Sequence, residues 1–520
     1  MNSIAFTRVE PASTEDALDL PAIDSREYER LLTSPGNTWE LSAELRQLCA
    51  LTASGQLYVS SQHLNDHYVM ALMDRLERSG MEFTVHKVTM SDIKAMYQAH
   101  SSADDSPSGK MSNTQRQQAV IKILGQAHQR DVSDVHFVVG HEITHILFRE
   151  HGLLSEFAQI PTSIGIEYCS ALYNTMCDVQ KEHYQPAIPQ DARVSRTYVD
   201  QLGLFGARVA TRPLVEGPLM VLRLLSDDKK KQSLQELGFL PEQIRLMKRL
   251  YSLPYGVVLV TGPTGSGKSK SLQILINLIA TESKGTKHIL TVEDPPEYPL
   301  MANQSPKGNE ETWDSAITNS MRLDPDVLMY GEIRDLASAQ AAFRGGMTGH
   351  LVKSTLHTNN AVGSLQRLQD MGVDQSLVTD PALMAGIINQ SLLPVLCKGC
   401  RVRARDHLQE LDDDLKARLL TMTHISGVYL HGAGCADCRG LGVTDRTAVG
   451  EVLVPTQKFM RIFREHGAGE ARNYWVNEMG GITKTAHALM KINDGMIDPR
   501  MAETIIGPLD FDRFVLEQQP

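Results

Sequence analysis

Apolar positions along this chain fall into two recurring patterns. Gly256-Val257-Val258-Leu259-Val260 is an unbroken apolar, β-branched run, which predicts a buried parallel strand. After a glycine-rich loop, Leu272, Leu275, Ile276 and Ile279 recur at helical spacing and predict a helix. Ile289-Leu290-Thr291-Val292 and Val327-Leu328-Met329-Tyr330 predict further strands, each running into carboxylates. A third, Leu351–Leu356, is bracketed by His350 and His357. Alternating strands and helices of this kind predict an α/β domain. Upstream, Val135-His136-Phe137-Val138-Val139-Gly140 and Ile143-Thr144-His145-Ile146-Leu147-Phe148 are β-branched and aromatic runs around a glycine, the pattern of a hairpin. Polar seams at Ser101–Lys110 and Ser226–Gln232 divide the chain. They predict a mixed N-terminal region over 1–100, read by default as a docking module, with linkers over 101–112 and 226–232.

The hairpin disposes of one motif. His141-Glu142-Ile143-Thr144-His145 spells H-E-x-x-H, whose zinc chemistry needs both histidines on one face of a helix. On a strand, residues four apart are separated by roughly 13 Å, too far to share a metal.

The loop between the first strand and helix is Gly262-Pro263-Thr264-Gly265-Ser266-Gly267-Lys268-Ser269, a complete G-x-x-x-x-G-K-S phosphate loop. Its backbone amides and the helix N-terminus predict an anion nest. Lys268 would reach the β- and γ-phosphates of ATP, and Ser269 would ligate Mg²⁺. Hydrolysis also needs a carboxylate to orient water, and Glu293 and Glu332 end two of the strands that follow. Glu332 stands in the manner of a Walker B acid.

Composition narrows the setting. A length of 520 residues implies about three or four domains. No run approaches 18 uninterrupted apolar residues and the N-terminus has no apolar signal core, so the expectation is a cytoplasmic protein. A net charge of −11, from 51 Lys plus Arg against 62 Asp plus Glu, argues against direct nucleic-acid binding. Cys397-Lys398-Gly399-Cys400 and Cys435-Ala436-Asp437-Cys438 are paired knuckles suited to a structural Zn²⁺ with all four positions taken by protein. Cys49, Cys169 and Cys177 lie in apolar surroundings and read as ordinary buried thiols.

Three segments behind the phosphate loop then carry a resemblance. Thr291-Val292-Glu293-Asp294-Pro295, Asp324-Pro325-Asp326 with Gly331-Glu332-Ile333-Arg334-Asp335, and Thr348-Gly349-His350 with Ser354-Thr355-Leu356-His357-Thr358-Asn359 resemble the Asp box, Walker B and His box of secretion ATPases. The branch is that of type II secretion and type IV pilus assembly, and the resemblance covers roughly residues 115–510. It implies an α+β, PAS-like domain over 113–225, where Ser133-Asp134-Val135-His136 and Val221-Leu222-Arg223 match. It further implies a RecA-like ATPase domain over 233–396, a zinc subdomain over 397–438 and a helical C-terminal region over 439–520. By the same resemblance, Arg208 and Arg223 reach the nucleotide across a subunit interface, and His350 and His357 position the γ-phosphate.

The implied assembly is a homohexamer, peripheral at the inner membrane, working on a platform protein of a pilus or secretion machine. The tetracysteine element resembles that of extension and secretion motors, which makes pilin polymerisation the expected function. Type II secretion, DNA transfer or uptake, and retraction are the alternatives. Ala192 in place of the usual glycine of Pro189-Gln190-Asp191-Ala192-Arg193, and Val138-Val139 in place of an acidic-proline ending, point to a divergent branch of the type IVb or plasmid thin-pilus kind.

Overall fold

The computed structural model describes residues 31–33, 39, 41, 45–61, 63–64, 66–81, 83–90, 92–93, 96–97, 113–179, 183–226, 233–308 and 310–516. The chain forms two compact units, Met1–Arg116 and Gln117–Pro520. In the first, β1 (Cys49–Leu51) pairs antiparallel with β2 (Gln56–Ser60), and β3 (Thr84–Val88) returns parallel to β2 after helix α1 (His67–Arg78). Leu57, Val59, Val69, Leu72 and Leu76 make its core. The predicted linker over 101–112 lies outside the described residues.

The boundary falls within helix α2 (Asn113–Gln129), and the second unit continues into a seven-stranded sheet in the order β6-β5-β4-β10-β9-β8-β7, antiparallel throughout. Its strands are β4 (Val132–Val139), β5 (Ile143–Glu150), β6 (Leu153–Pro161), β7 (Cys177–Val179), β8 (Gln190–Val194), β9 (Leu204–Pro213) and β10 (Pro218–Ser226). The H-E-x-x-H segment is the β4–β5 hairpin: His145 pairs in register with Val138, and its Nδ1 lies 2.6 Å from Glu156 Oε2. Ser226, expected in a linker, is the last residue of β10, because the pairing with β9 continues through it to Leu204. Residues 227–232 lie outside the described residues.

A second seven-stranded sheet follows, in the order β13-β12-β14-β15-β11-β16-β19. Its strands are β11 (Gly256–Thr261), β12 (Ile289–Glu293), β13 (Asn303–Pro306), β14 (Val327–Tyr330), β15 (Leu351–Leu356), β16 (Met384–Leu396) and β19 (Val443–Leu453). All pairs are parallel except β16 with β19. β11 is buried at every position because helices cover both faces of the sheet. Val257 and Leu259 pack with Ala342 and Phe343 of helix α7 (Leu336–Met347), while Val258 and Val260 pack with Leu272, Leu275 and Ile276 of helix α5 (Lys268–Glu282).

The region over 439–520, expected to be helical, opens with β19 at the sheet edge. Ala448-Val449-Gly450-Glu451-Val452 is buried throughout, carries two β-branched valines and pairs with β16. From Gln457 onward it is helical: α10 (Gln457–Asn477), α11 (Lys484–Asn493), α12 (Pro499–Ile506) and α13 (Phe511–Val515). Among the described residues no helix is long and apolar enough to cross a membrane.

Candidate functional site at the C-terminal edge of the parallel sheet

Parallel strands deliver whatever follows them to one edge, and here that edge gathers the chemistry. The phosphate loop follows β11, Glu293 ends β12, Glu332 follows β14 and His357 follows β15. Gly262 approaches β16 so closely that a Cβ there would stand 2.2 Å from the Gln390 carbonyl oxygen. Gly267 is left-handed (φ 81°) at the start of α5 and brings no capping side chain, so the first amides of that helix are open to an anion. Gln390 Nε2 donates to Ser266 O at 2.7 Å and braces the loop. Ser266 Oγ is buried with no hydrogen-bond partner among the described residues, a polar atom left for a ligand. A cavity of about 380 Å³ opens beside the loop, lined by Thr264, Gly265, Ser266, Ser391, Arg446 and His151 among others.

Lys268 is buried and folds back over the loop, its Nζ donating to Gly262 O at 2.9 Å and Pro263 O at 3.0 Å. Burial pushes its pKa down to about 8, with Glu332 and Glu297 partly restoring the charged form. Ser269 Oγ donates to Glu297 Oε2 at 2.8 Å. Glu293 is buried, and its Oε1 accepts from Thr291 Oγ1 (2.8 Å) and Gln304 Nε2 (2.9 Å). Burial raises its pKa against those two bonds, which makes it a better proton acceptor than an exposed carboxylate. Glu332 lies 2.9 Å from Arg334 Nε and 3.3 Å from His357 Nε2. Burial, then the Lys268 and Arg334 charges, lower the His357 pKa against the pull of Glu332.

The other expected residues stand at different distances from this edge. His350 precedes β15, and its backbone carbonyl accepts from Gly256 N at the start of β11, so it stands at the opposite edge of the sheet. The whole of β15 lies between it and His357, about 20 Å at strand rise. Its Nδ1 lies near Thr348 Oγ1 (3.0 Å) and Gly345 O (3.2 Å), away from the phosphate loop of its own chain. Arg208, expected to act across a subunit interface, reaches the site of its own chain. Its Nη2 lies 3.1 Å from Pro295 O and 3.3 Å from Glu297 Oε1. Arg223 is its cross-strand partner on β10, half exposed and held by Asp134 at 3.0 Å. Arg223 thus flanks the bridge that Arg208 makes without joining it.

Sequence reasoning missed Glu297, which contacts both Ser269 and Arg208. Its signal was present, a second carboxylate close behind Glu293 across Asp294-Pro295-Pro296.

Away from this edge, Cys397, Cys400, Cys435 and Cys438 bring their sulfurs within 4.8 Å of one another. The Cys397–Cys435, Cys400–Cys438 and Cys435–Cys438 separations are 3.7, 3.8 and 3.8 Å. Ligands about 2.3 Å from a tetrahedral Zn²⁺ stand roughly 3.8 Å apart, whereas a disulfide needs about 2.05 Å. The four thiols therefore fit a metal and not two bridges. Cys438 Sγ also accepts the N–H groups of Cys435 (3.2 Å) and Gly442 (3.1 Å), as a thiolate ligand requires. The knuckles grow out of the β16–β19 corner, with helix α9 (Asp413–Met422) between them. Cys49 and Cys169 are fully buried and Cys177 partly so, and burial pushes all three thiols up to about 12.

Comparison with known proteins agrees with this geometry. The family described as "Type II/IV secretion system protein" matches residues 111–502. The type II secretion system protein E of Pseudomonas aeruginosa is 34% identical over 357 residues, covering 68% of this chain and 66% of that protein. The type IV pilus assembly ATPase PilB of Thermus thermophilus is 32% identical over 379 residues, covering 71% of this chain and 40% of that protein. The chain thus spans less than two thirds of either relative. In fold, it is similar to the crystal structure of the Legionella pneumophila ATPase DotB, with a TM-score of 0.52 at 20% identity over 77% of this chain and 97% of that one. The chain belongs to the type II/IV secretion system protein family.

Proposed function

We propose that this chain is a Mg²⁺-dependent ATPase that powers pilin polymerisation for type IV pilus assembly, with type II protein secretion as the second reading. The observation that carries it is the convergence of an open phosphate loop, Lys268, Ser269, Glu293, Glu297, Glu332 and His357 on one sheet edge. The 34% identical protein E of a type II system favours the second reading, and motor residues do not separate the two.

In the proposed reaction the loop amides over 262–269 and the α5 N-terminus hold the triphosphate of ATP. Lys268 leaves its carbonyl partners for the β- and γ-phosphates. Ser269 and Glu297 would form the oxygen donor set for Mg²⁺, which when bound would neutralise charge developing on the phosphates. Glu293, with its raised proton affinity, or Glu332, next to His357, orients the attacking water. His357, beside Glu332, would position the γ-phosphate, and Arg208, from the antiparallel domain, would exchange Glu297 for phosphate. Opening and closing of the 113–226 domain on the motor would then follow the nucleotide state. The thiolates of Cys397, Cys400, Cys435 and Cys438 hold Zn²⁺ as a staple. The resemblance to this family supports a homohexamer that works on an inner-membrane platform protein from the cytoplasmic face, and the net charge of −11 argues against a direct nucleic-acid partner.

Negative-stain microscopy of host cells carrying Glu332→Gln tests the reading. Bald cells are expected. Excess filaments would make this a retraction motor, and unchanged piliation would move the assignment to protein secretion or DNA transfer.

A further inference from the structure

The turn that follows His357 is gripped from three directions. Asn389 of β16 donates through Nδ2 to Thr358 O at 3.1 Å and to Thr261 Oγ1 at 2.8 Å, tying the turn to the end of β11. Lys484, the first residue of α11, places Nζ 2.5 Å from Asn359 O and 3.4 Å from Ser391 Oγ. Glu451 of β19 accepts the N–H of Ala361 at 2.8 Å, the first residue of helix α8 (Ala361–Asp370). A carboxylate on a helix N-terminus suits the dipole, but Glu451 is only 1% exposed and needs a counter-charge. Arg472 of α10 supplies it in a forked pair, Nη2 to Oε1 at 3.0 Å and Nη1 to Oε2 at 3.3 Å. The Lys484 N–H adds a further bond to Oε1 at 3.3 Å, and Asp512 stands 3.5 Å from Arg472.

A network that merely stapled the C-terminal helices to the sheet could end at the Glu451–Arg472 pair. This one continues onto the backbone of the turn, at Asn359 O and Ala361 N. It also touches Ser391, whose neighbour Gln390 braces the phosphate loop. We propose that Glu451, Arg472 and Lys484 are positioning residues for ATP hydrolysis, fixing the 358–361 turn and through it the place of His357 beside Glu332. The inference rests on the ATPase reading of this site. It gives the helical C-terminus a part in the chemistry.

The test uses the full chain with Lys484→Met, which removes the ammonium and keeps the stem, and Lys484→Arg, which keeps a donor. ATPase kinetics and hydrogen exchange of the 357–363 segment are read together. For Lys484→Met we expect faster exchange in that segment and a kcat lowered about tenfold at a KM within about twofold, since misplacement of a reacting group by ~1 Å costs up to about 100-fold. Lys484→Arg is expected to recover most of both. Lys484→Met combined with His357→Gln should be no slower than His357→Gln alone. Unchanged exchange, unchanged kcat, a loss confined to KM, or losses that multiply in the double variant would each overturn the proposal. A parent chain without ATP turnover would instead overturn the ATPase reading, and the exchange result would still decide whether Lys484 restrains the turn.

Discussion

Lys268 and Lys353 are buried lysines with opposite prospects. Lys268 spends its charge on two loop carbonyls that it can leave for phosphate. Lys353, in the middle of β15, is 1% exposed, and its Nζ has no partner among the described residues. Burial, with repulsion from Lys287, pushes its pKa from 10.5 down to about 7. The folded value lies below the unfolded one, so between them the unfolded chain binds more protons. The cost to stability is therefore full below about pH 7 and fades as pH rises toward 10.5. Lys353→Met should raise the melting temperature by several degrees near pH 6 and much less near pH 9. An equal shift at both pH values would contradict the burial account. The same strand explains why the two histidines stand at opposite edges of the sheet. His350 and His357 bracket β15 symmetrically in sequence, yet a parallel sheet presents only the residue after the strand to its active edge. Strand polarity was legible and would have separated them.

At the level of elements, the strand–loop–helix of residues 256–282 was read nearly to the residue because each local signal agreed: β-branched run, glycines, then helical period. The tetracysteine spacing was equally legible, since four thiols at two C-x-x-C turns leave few alternatives. β19 was not, because an edge strand finds its partner 13-residue strand β16 across the inserted knuckles, and nothing local announces that pairing. The grip of Glu451 and Lys484 on the His357 turn was invisible for the same reason. Metal loading is expected to stabilise more than the knuckles. Arg439, directly after Cys438, pairs with the buried Glu150 of β5 and so joins the knuckle to the antiparallel domain. The purified chain should carry about one zinc per chain. Cys438→Ser should lose it and melt at a lower temperature than the parent. Full zinc content in that variant, or an unaltered melting temperature, would count against the staple.

At the scale of the whole molecule, the question is how the antiparallel domain and the motor share one site. Arg208 bridges to Glu297 and Pro295 of its own chain, so a second copy is not needed to bring this guanidinium to the phosphate edge. Mixing inactive chains decides between the two arrangements. If Arg208 serves its own chain, assemblies mixed from Arg208→Ala and Lys268→Ala subunits stay inactive, because every site lacks one of the two groups. Recovered turnover would mean that Arg208 acts on a neighbour. The claim beneath all of this is that the phosphate loop hydrolyses ATP. Its most direct test is steady-state ATP turnover by the full chain with Mg²⁺, with chelator, and in Lys268→Ala of unchanged zinc content. Turnover that needs the metal and vanishes in the variant is the predicted result; hydrolysis that persists in Lys268→Ala would contradict it.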